Sequence, residues 1–309
     1  MQKASNRDRV LSTLSLIVSM LIFGTIGVLK RRISLSPGVI AGARGFIGSF
    51  LLFSVLFVKR AGEAKREGRS IRLFGKAKGK TLLLLALSGA AIGLNWVLLF
   101  FAYDYTTVAV ATLSYYMQPT FLVLASALLF RDRFGKKQVI CAALSFFGMV
   151  LVSGVVPGNE TPDLRGILFG LSAACLYTAV VLLNRFLTEA DAMEKTVIQL
   201  FFAALVTVPY VLLTEGVPDL HVPLPSLLWL LTLGVLHTGV AYLLFFRALP
   251  GLSGQTVAVL SYVDPITAVL LSALFLSEPF TVYTALGAVL IVGAAVAGEI
   301  TLKKGQDAG

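Results

Sequence analysis

The stretch Leu-Ser-Tyr-Tyr-Met-Gln-Pro at residues 113–119 recurs, one residue shorter, as Leu-Ser-Tyr-Val-Asp-Pro at residues 260–265. A single offset of 146 residues continues the match on both sides, and it pairs aromatic residues, prolines and acids with residues of the same kind. The pairs are Phe100 with Phe246, Tyr116 with Tyr262, Pro119 with Pro265, Ala127 with Ala273, Asp132 with Glu278 and Phe134 with Phe280. Similarity at a fixed offset is typical of a duplicated unit. The sequence therefore predicts two homologous halves, residues 1–158 and residues 159–309.

The composition indicates which solvent surrounds these halves. Apolar types make up 57% of the 309 residues and charged types only 14%, whereas soluble domains carry about 25% charged residues. So few charges cannot cover a water-facing surface of this size, and the same figures exclude a disordered chain. The two cysteines, Cys141 and Cys175, lie in apolar runs and are expected to pack rather than to form a disulfide framework. The chain is predicted to be an integral membrane protein.

Ten apolar runs come within a few residues of the length that a helix needs to cross a bilayer. None of them alternates with the period of two that a barrel strand requires, so helices are the predicted spanning elements. The runs lie near residues 11–30, 38–58, 81–103, 107–130, 136–155, 165–187, 194–213, 226–248, 253–276 and 280–300. The predicted fold class is all-α, a polytopic membrane protein with ten transmembrane helices.

The distribution of Lys and Arg predicts which side of the membrane each loop faces. If both termini are cytoplasmic, the cytoplasmic segments hold 21 of these residues and the opposite side holds four, which agrees with the positive-inside rule. The predicted location is therefore the cytoplasmic membrane, with several passes and both termini in the cytoplasm. Residues 30–32 are a local exception, because they place three cations on the outer side. The basic loops account for the net charge of +10, and nucleic acid is not an expected partner.

Ten spans divide into five for each half, and five is an odd number. The second half must then begin on the opposite side of the bilayer, which makes the halves inverted repeats. An offset of 154 residues supports this division, because it aligns span one with span six and pairs Phe23 with Tyr177 and Arg31 with Arg185. Secondary transporters with inverted repeats hold their solute near the membrane midplane, between the halves. A site at that position is predicted here.

Local patterns accompany the ten spans. They are the Phe23-Gly24 pair in span one, Ala43-Arg44-Gly45-Phe46 in span two, and the Tyr-x-x-Pro and acid-Pro segments that end in Asp132 and Glu278. Together with the two five-helix halves, they resemble the drug/metabolite transporter superfamily, and in particular its EamA-type members. The resemblance covers nearly the whole chain. It implies a single-polypeptide carrier that works by alternating access and is frequently an exporter of amino acids or related metabolites.

Two ionisable residues within the spans are candidates for solute binding, because a charge at the centre of a membrane helix costs at least about 2.5 kcal/mol. Arg44 in span two offers a planar fork that suits a carboxylate. Alternatively, it pairs with Asp264 or with helix carbonyls, or it reaches the interface. Asp264 in span nine is a candidate proton-coupling carboxyl or counter-charge for a cationic solute. The alternative for Asp264 is an acid that burial neutralises and a local hydrogen bond satisfies.

Pro119 and Pro265 lie midway along spans four and nine, and each removes a backbone donor from its helix. The carbonyl groups that they free belong to Tyr115 and Ser261, and these must face protein, water or solute because they are costly in lipid. The equivalent positions of the two prolines predict a pair of hinges for a rocking motion of the halves. A kink that serves only helix packing is the alternative.

Aromatic and polar side chains near these breaks complete the predicted site. Deep aromatic residues can stack on an aromatic solute or enclose a quaternary cation, whereas those at span ends, such as Tyr103 and Tyr105, are expected to form interfacial belts. His237 is a candidate titrating group, with a neutral, hydrogen-bonded histidine as the alternative. The predicted substrate-binding residues are Phe23, Arg44, Asn95, Trp96, Tyr115, Tyr116, Tyr177, His237, Tyr242, Tyr262 and Asp264.

The predicted function is a secondary transporter that moves a small organic solute, an amino acid or aromatic metabolite, across the cytoplasmic membrane, with export as the expected direction. The sequence contains no Walker motif and no pattern typical of a metal site or a nucleophile with its base, so neither an enzyme nor a metal nor a cofactor is expected. The expected partners are the solute, membrane lipid and a proton as candidate coupling ion, and the chain is expected to be a monomer or weak dimer. The alternatives are an uptake carrier for a quaternary amine such as choline and a channel-like facilitator.

Overall fold

The computed structural model describes residues 6–68, 70–71, 79–130, 135–153, 163–187, 191–216 and 222–302. In this part of the chain there are no strands, and helices form all the spans. The helices are α1 (Asn6–Gly24), α2 (Ile26–Lys30), α3 (Pro37–Glu67), α4 (Gly79–Tyr105), α5 (Val108–Tyr115), α6 (Gln118–Phe130), α7 (Lys136–Val152), α8 (Leu164–Asn184), α9 (Ala192–Thr214), α10 (Leu224–Thr232), a π-helical segment (Leu233–Val240), α11 (Ala241–Ala248), α12 (Gly254–Ser261), α13 (Val263–Phe275) and α14 (Val282–Leu302).

Each predicted span corresponds to one helix or to a succession of short helices, which confirms the all-α fold class. Among the described residues, eight spans are long and apolar enough to cross a membrane. The other two are shorter, because α7 has 17 residues and the apolar part of α14 is Val282–Gly298. Large apolar side chains remain exposed on the outside of the bundle, with Phe46 and Phe50 each at 67%. Lipid accommodates such a surface and water does not.

The second span differs from its prediction at the end that is expected to be cytoplasmic. α3 continues to Glu67 rather than ending near residue 58, so the first cations after the apolar run lie on the helix. Arg60 on this extension forms an ion pair with Glu194 in the first turn of α9. The helix ends where Gly68 adopts a left-handed φ of 62°, a conformation that glycine accepts without steric cost.

Spans four and nine are interrupted at equivalent points. α5 gives way to α6 at Tyr116 and Met117, and α12 gives way to α13 at Tyr262. A proline follows each tyrosine three residues later, as Pro119 or Pro265. Its missing N–H leaves the carbonyl four residues earlier without the usual helical donor. The predicted breaks are confirmed, and their role as hinges stays a prediction.

The packing of the helices is preserved when the two halves are exchanged. α3 packs on α9, α5 on α13 and α7 on α14, which are spans two with seven, four with nine and five with ten. α4 of span three packs on α8, and its equivalent α11 of span eight packs on α1. In the same way, α4 packs on α9, and the π-helical segment of span eight packs on α3. This is the contact pattern of a pseudo-two-fold axis between the halves. Because each half has an odd number of spans, the axis relates inverted repeats.

Glycines spaced by four residues, a pattern that predicts close helix contacts in lipid, lie where helices of the two halves meet. The pairs are Gly38 with Gly42, and Gly89 with Gly93, both against α9, and Gly166 with Gly170 against α5 and the connection before it. A Cβ atom at Gly93 would lie 2.5 Å from the carbonyl oxygen of Ala203. Only glycine therefore lets α4 and α9 approach this closely, which confirms the prediction.

Candidate functional site

Arg44 lies in the first half of α3 and is only 3% exposed. Its Nε–H donates a hydrogen bond of 2.8 Å to the hydroxyl of Thr238 in the π-helical segment. Its guanidinium group lies over the ring of Trp96 on α4, at 4.1 Å from the ring centroid. A cation over an indole face that is shielded from water gains about 2 kcal/mol. Residues of spans three and eight therefore hold this charge of span two in place.

The two terminal nitrogens of Arg44 have no hydrogen-bond or ion-pair partner among the described residues. Neither nitrogen is among the fully buried side-chain atoms that lack a partner, so each keeps a small accessible surface although the residue is only 3% exposed. The ion pair with Asp264, one of the alternatives for Arg44, does not form between these two described residues. A guanidinium edge that is free in this way can donate to both oxygens of a carboxylate.

Asp264 lies in the first turn of α13, immediately after the break at Tyr262. The hydroxyl of Tyr116 donates to its Oδ2 atom at 2.7 Å. Its Oδ1 atom has no partner among the residues that the structure describes, and it retains accessible surface. Asp264 and Arg44 lie within electrostatic range of each other. A positive and a negative group, each with unpaired atoms, therefore face one interior region.

Aromatic side chains of both halves line this region on the side of Asp264. The ring of Tyr115, at the end of α5, lies 5.8 Å from that of Tyr116 and 5.9 Å from that of Tyr177 on α8, measured between centroids. The rings of Tyr116 and Tyr262 are 6.2 Å apart. These separations are typical of interacting aromatic pairs. Spans four, six and nine are thus joined through their aromatic rings.

On the side of Arg44, Phe23 of α1 meets Tyr242 of α11 edge to face at 5.3 Å. Protein encloses the site closely, yet four of its tyrosines keep accessible surface. They are Tyr115, Tyr116, Tyr177 and Tyr242. Accessible surface on rings in the interior of the bundle is available for contact with a solute. The structure therefore brings most of the predicted site residues together in one aromatic-lined interior region between the halves, which is the candidate cavity for a solute.

Tyr103 on α4 belongs to the same region, although its position near the end of span three predicts an interfacial belt. It is 5% exposed and lies within electrostatic range of Arg44 and Asp264, so its predicted place in an interfacial belt is wrong. Trp96 and Tyr103 are seven residues apart, and two helical turns place both on one face of α4. That spacing is the signal that could have identified Tyr103.

Asn95 and His237, both predicted to bind solute, use their side chains to join helices. Nδ2 of Asn95 donates to the carbonyl of Ala173 on α8 at 2.6 Å. Nε2 of His237 lies 2.7 Å from the hydroxyl of Thr25, and the histidine is fully buried. These contacts position α4 against α8 and the π-helical segment against α1. Contact of either residue with a solute stays a prediction.

The exception to the positive-inside rule at residues 30–32 has a structural explanation for two of the three cations. Lys30 forms an ion pair with Asp104 at the end of α4. Arg31 donates to a carboxylate oxygen of Glu278 at 3.0 Å, between α13 and α14. The charges of these two cations are therefore neutralised locally, on the predicted outer side.

The pair of Arg31 and Glu278 continues into the connection between spans three and four. Arg31 also donates to the carbonyl of Thr106 at 2.7 Å. The second carboxylate oxygen of Glu278 accepts the N–H of Val108, at the start of α5, at 2.7 Å. These contacts join spans one, three, four and nine beyond the cavity. We call the residues that form them the outer network: Lys30, Arg31, Asp104, Thr106, Val108 and Glu278.

Three comparisons with known proteins agree with this architecture. The family model described as the EamA-like transporter family matches residues 11–154 and residues 164–297. The uncharacterized transporter YxxF of Bacillus subtilis is 25% identical over 296 residues, which cover 93% of this chain and 89% of that protein. Protein PecM of Dickeya dadantii is 30% identical over 220 residues, which cover 69% of this chain and 72% of that protein. A crystal structure with 18% sequence identity superposes with a TM-score of 0.62, covers 95% of this chain and 98% of its own, and shows the same fold.

Proposed function

Because this chain belongs to the EamA-like transporter family, we propose that it is a secondary transporter for a small zwitterionic solute, an amino acid or a related aromatic metabolite. It moves this solute across the cytoplasmic membrane by alternating access, in the direction of export. The observation that supports the solute class is that Arg44 and Asp264 each present unpaired atoms to one aromatic-lined cavity. Membership of the family makes the chain a membrane transporter, and the rest is our proposal.

The carboxylate of the solute binds the free edge of Arg44. Since Nε donates to Thr238, the two terminal nitrogens remain, and they can form two parallel hydrogen bonds to a carboxylate. The ring of Trp96 lies against one face of the guanidinium group and restricts the orientation of its plane. In a site that excludes most water, these charge-assisted bonds are stronger than they would be at the protein surface.

The ammonium group of the solute binds the free Oδ1 atom of Asp264, while Tyr116 holds the other oxygen. A solute with only one charge leaves either Arg44 or Asp264 without a partner in a buried site. An unpaired buried charge is costly, so the two residues together favour a zwitterion over a simple acid or amine. The tyrosine rings leave room and polarizable surface for an aromatic or large apolar side chain.

The outer network supports alternating access. The ion pair of Arg31 with Glu278 and the bond from the N–H of Val108 to Glu278 connect the two halves on one side of the cavity, and Lys30 pairs with Asp104 beside them within the first half. A solute that enters or leaves on that side requires these contacts to separate and later to re-form. Rocking of two halves around a central site provides such a cycle in transporters with inverted repeats. In this proposal the rocking bodies are residues 1–158 and 159–309.

Hinges, coupling and orientation complete the proposal. Pro119 and Pro265, beside the cavity, absorb the change of backbone angle in each half. Asp264 couples transport to a proton gradient, because a carboxyl that alternately binds a proton and the solute links their movements. Both termini are cytoplasmic, and the protein works as a monomer or weak dimer.

A second candidate is an uptake carrier for a quaternary amine such as choline. The observation that favours it is the group of aromatic rings beside Asp264, formed by Tyr115, Tyr116 and Tyr262. Aromatic faces around a carboxylate are the usual means of binding a quaternary ammonium group. In this candidate Arg44 has a structural role only.

Three probes that share a phenylethyl skeleton and differ in charge, together with choline, separate these candidates. L-phenylalanine carries a carboxylate and an ammonium group. Phenethylamine lacks the carboxylate, and 3-phenylpropionate lacks the ammonium group. Choline is a quaternary cation. The purified protein is tested for thermal stabilisation, and proteoliposomes are tested for counterflow. We expect L-phenylalanine to stabilise the protein and to undergo trans-stimulated exchange, and the two truncated probes to bind more weakly.

Other outcomes are equally informative. Stabilisation and exchange with choline alone would support the second candidate. Flux that neither saturates nor exchanges would indicate a channel-like facilitator. If no member of a panel of the common amino acids stabilises the protein or exchanges, the proposed solute class is wrong.

A further inference from the structure

The π-helical segment Leu233–Val240 brings Thr238 to Arg44. Short π-helical insertions are rare and occur frequently at functional sites, because the extra residue displaces the side chains that follow. The segment contains no proline that would account for the distortion. Thr238 is fully buried, and its hydroxyl accepts the Nε–H of Arg44. The distortion of span eight is therefore associated with one specific contact to the cationic residue of the cavity.

The side chain of Thr238 is held from two directions. Its hydroxyl is bonded to Arg44 at 2.8 Å. Its other face packs against Gly48, one turn beyond Arg44 on α3, where an added Cβ atom would lie 2.7 Å from the Cβ atom of Thr238. β-branched side chains have few rotamers, and close packing at Gly48 restricts this one further. The hydroxyl is thus fixed in one orientation relative to α3.

Two contacts together define the orientation of the guanidinium group. The bond to Thr238 fixes its Nε edge, and the ring of Trp96 fixes its plane. The opposite edge of Arg44, which carries the terminal nitrogens, is left without a partner among the described residues. A fork that is already oriented loses less entropy when it binds a carboxylate than a mobile one does.

We propose that Thr238 is a positioning residue for Arg44 and thereby a determinant of selectivity for solutes that carry a carboxylate. This inference rests on the proposed function, in which Arg44 binds the carboxylate. Thr238 acts through Arg44 and not by contact with the solute. Loss of its hydroxyl therefore weakens the binding of carboxylate solutes selectively, whereas a merely structural residue would affect all solutes alike.

The first test requires no solute. The chain has two tryptophans, so fluorescence in a Trp229→Phe background reports Trp96 alone. Thr238→Val keeps the shape of the side chain and removes the acceptor, and Thr238→Ser keeps the acceptor. We expect Thr238→Val to shift the emission of Trp96 and to increase its quenching by acrylamide, and Thr238→Ser to behave as the background protein does. Thr207→Val is the matched control, because it removes a buried hydroxyl whose hydrogen bond, within the described part of the chain, is to a carbonyl of its own helix, that of Ala204.

The second test compares two probes in proteoliposomes. We expect Thr238→Val to raise the KM for L-phenylalanine about tenfold, which is the effect of losing one hydrogen bond in a buried charged site. Its kcat should change much less, and the apparent affinity for phenethylamine should stay at the wild-type value. Thr238→Ser should restore most of the affinity for L-phenylalanine.

The two tests distinguish failure of this inference from failure of the proposed function. If the wild-type protein exchanges no zwitterion, the proposed function fails, and the fluorescence of Trp96 still decides whether Thr238 positions Arg44. Unchanged fluorescence in Thr238→Val overturns the inference. Equal changes in the Val and Ser variants, or an equal loss of affinity for both probes, also overturn it.

Discussion

Arg31 and Glu278, separated by 247 residues in the chain, are joined by a hydrogen bond of 3.0 Å. Arg31 follows span one in the first half, and Glu278 lies between spans nine and ten in the second. The side chain of Glu278 is only 12% exposed and also accepts the N–H of Val108. Because this carboxylate is largely shielded from water, the pair holds the halves together more strongly than an exposed ion pair does.

Removal of this connection should open the outer side of the cavity. Glu278→Gln removes the charge that binds Arg31 and leaves a neutral side chain of the same shape. We expect a cysteine introduced by Thr112→Cys, one turn deeper than Val108 on α5, to react several-fold faster with an impermeant maleimide added outside. The labelling rate is measured in a background that lacks Cys141 and Cys175.

Arg165→Gln is the matched control for this experiment. It also breaks an ion pair on the predicted outer side, but its partner Asp163 is two residues away. The side chain meets another helix at the ring of Tyr105 on α4, through an aromatic contact and not through an ion pair between the halves. In Arg165→Gln the cysteine introduced by Thr112→Cys should be labelled at the wild-type rate. Exchange of the two charges, by Arg31→Glu with Glu278→Arg, restores the ion pair but not the bonds to Val108 and Thr106, so it should slow labelling only in part. Unchanged labelling in Glu278→Gln would contradict the role of the pair in closing the outer side.

Arg44→Ala should abolish the transport of carboxylate solutes while the protein is still produced and folded. Truncating one partner of a buried charge pair costs about 2 to 5 kcal/mol, which weakens binding by a factor of roughly thirty or more. Arg44→Lys should not rescue transport, because an ammonium group cannot bind Thr238 and both carboxylate oxygens in one plane. Counterflow of L-phenylalanine and the amount of monodisperse protein are measured together. Wild-type rates in Arg44→Ala would exclude Arg44 from the site.

Tyr116→Phe should weaken the binding of the ammonium end of the solute. It removes the hydrogen bond of 2.7 Å that holds one oxygen of Asp264. We expect the apparent affinity for L-phenylalanine and phenethylamine to fall about tenfold, and that for 3-phenylpropionate to be unchanged. Thermal-shift titrations measure these affinities. Tyr105→Phe serves as the control, since that ring lies against the exposed Arg165, and an equal loss for 3-phenylpropionate would contradict the assignment of Asp264.

Pro119→Ala and Pro265→Ala should slow transport without changing solute binding. Alanine restores the missing N–H and lets each interrupted span continue as one stiffer helix. We expect the rate of exchange to fall in each variant and further in the double variant, with unchanged thermal stabilisation by L-phenylalanine. Pro209→Ala is the control, because this proline lies inside α9 and away from both breaks. If exchange rates do not change in either variant, the prolines are not hinges.

Gly93→Val should destabilise the protein. The new side chain meets the carbonyl of Ala203 on α9, and overpacking of this kind costs about 1 to 3 kcal/mol. Gly62→Ala is the matched control on α3, where no described atom outside the local helix backbone lies within 4 Å of the added Cβ and alanine favours the helix. The apparent melting temperature in detergent should fall for Gly93→Val and stay equal or rise for Gly62→Ala. Equal melting temperatures would show that α4 and α9 do not approach so closely.

The ten spans, the repeat and the breaks at Pro119 and Pro265 could be predicted because each is a property of the local sequence. A helix in lipid satisfies its own backbone hydrogen bonds, so length and hydropathy are sufficient to identify it. The end of α3 at Glu67 could not be predicted in the same way, since Arg60 on its extension pairs with Glu194 of another helix. The predicted boundary near residue 58 followed the apolar run alone.

The sequence by itself determined the membrane fold and the candidate charges, and the tertiary structure decided which polar side chains remain free to bind. Asn95 and Arg44 are both buried polar residues, yet the carbonyl of Ala173 satisfies Asn95, while two nitrogens of Arg44 have no partner among the described residues. The acceptor for Arg44 is Thr238, 194 residues away and placed by a π-helical distortion. The physical reason is that the partner of a buried polar group comes from whichever helix packs beside it, and that choice is made only when the helices assemble.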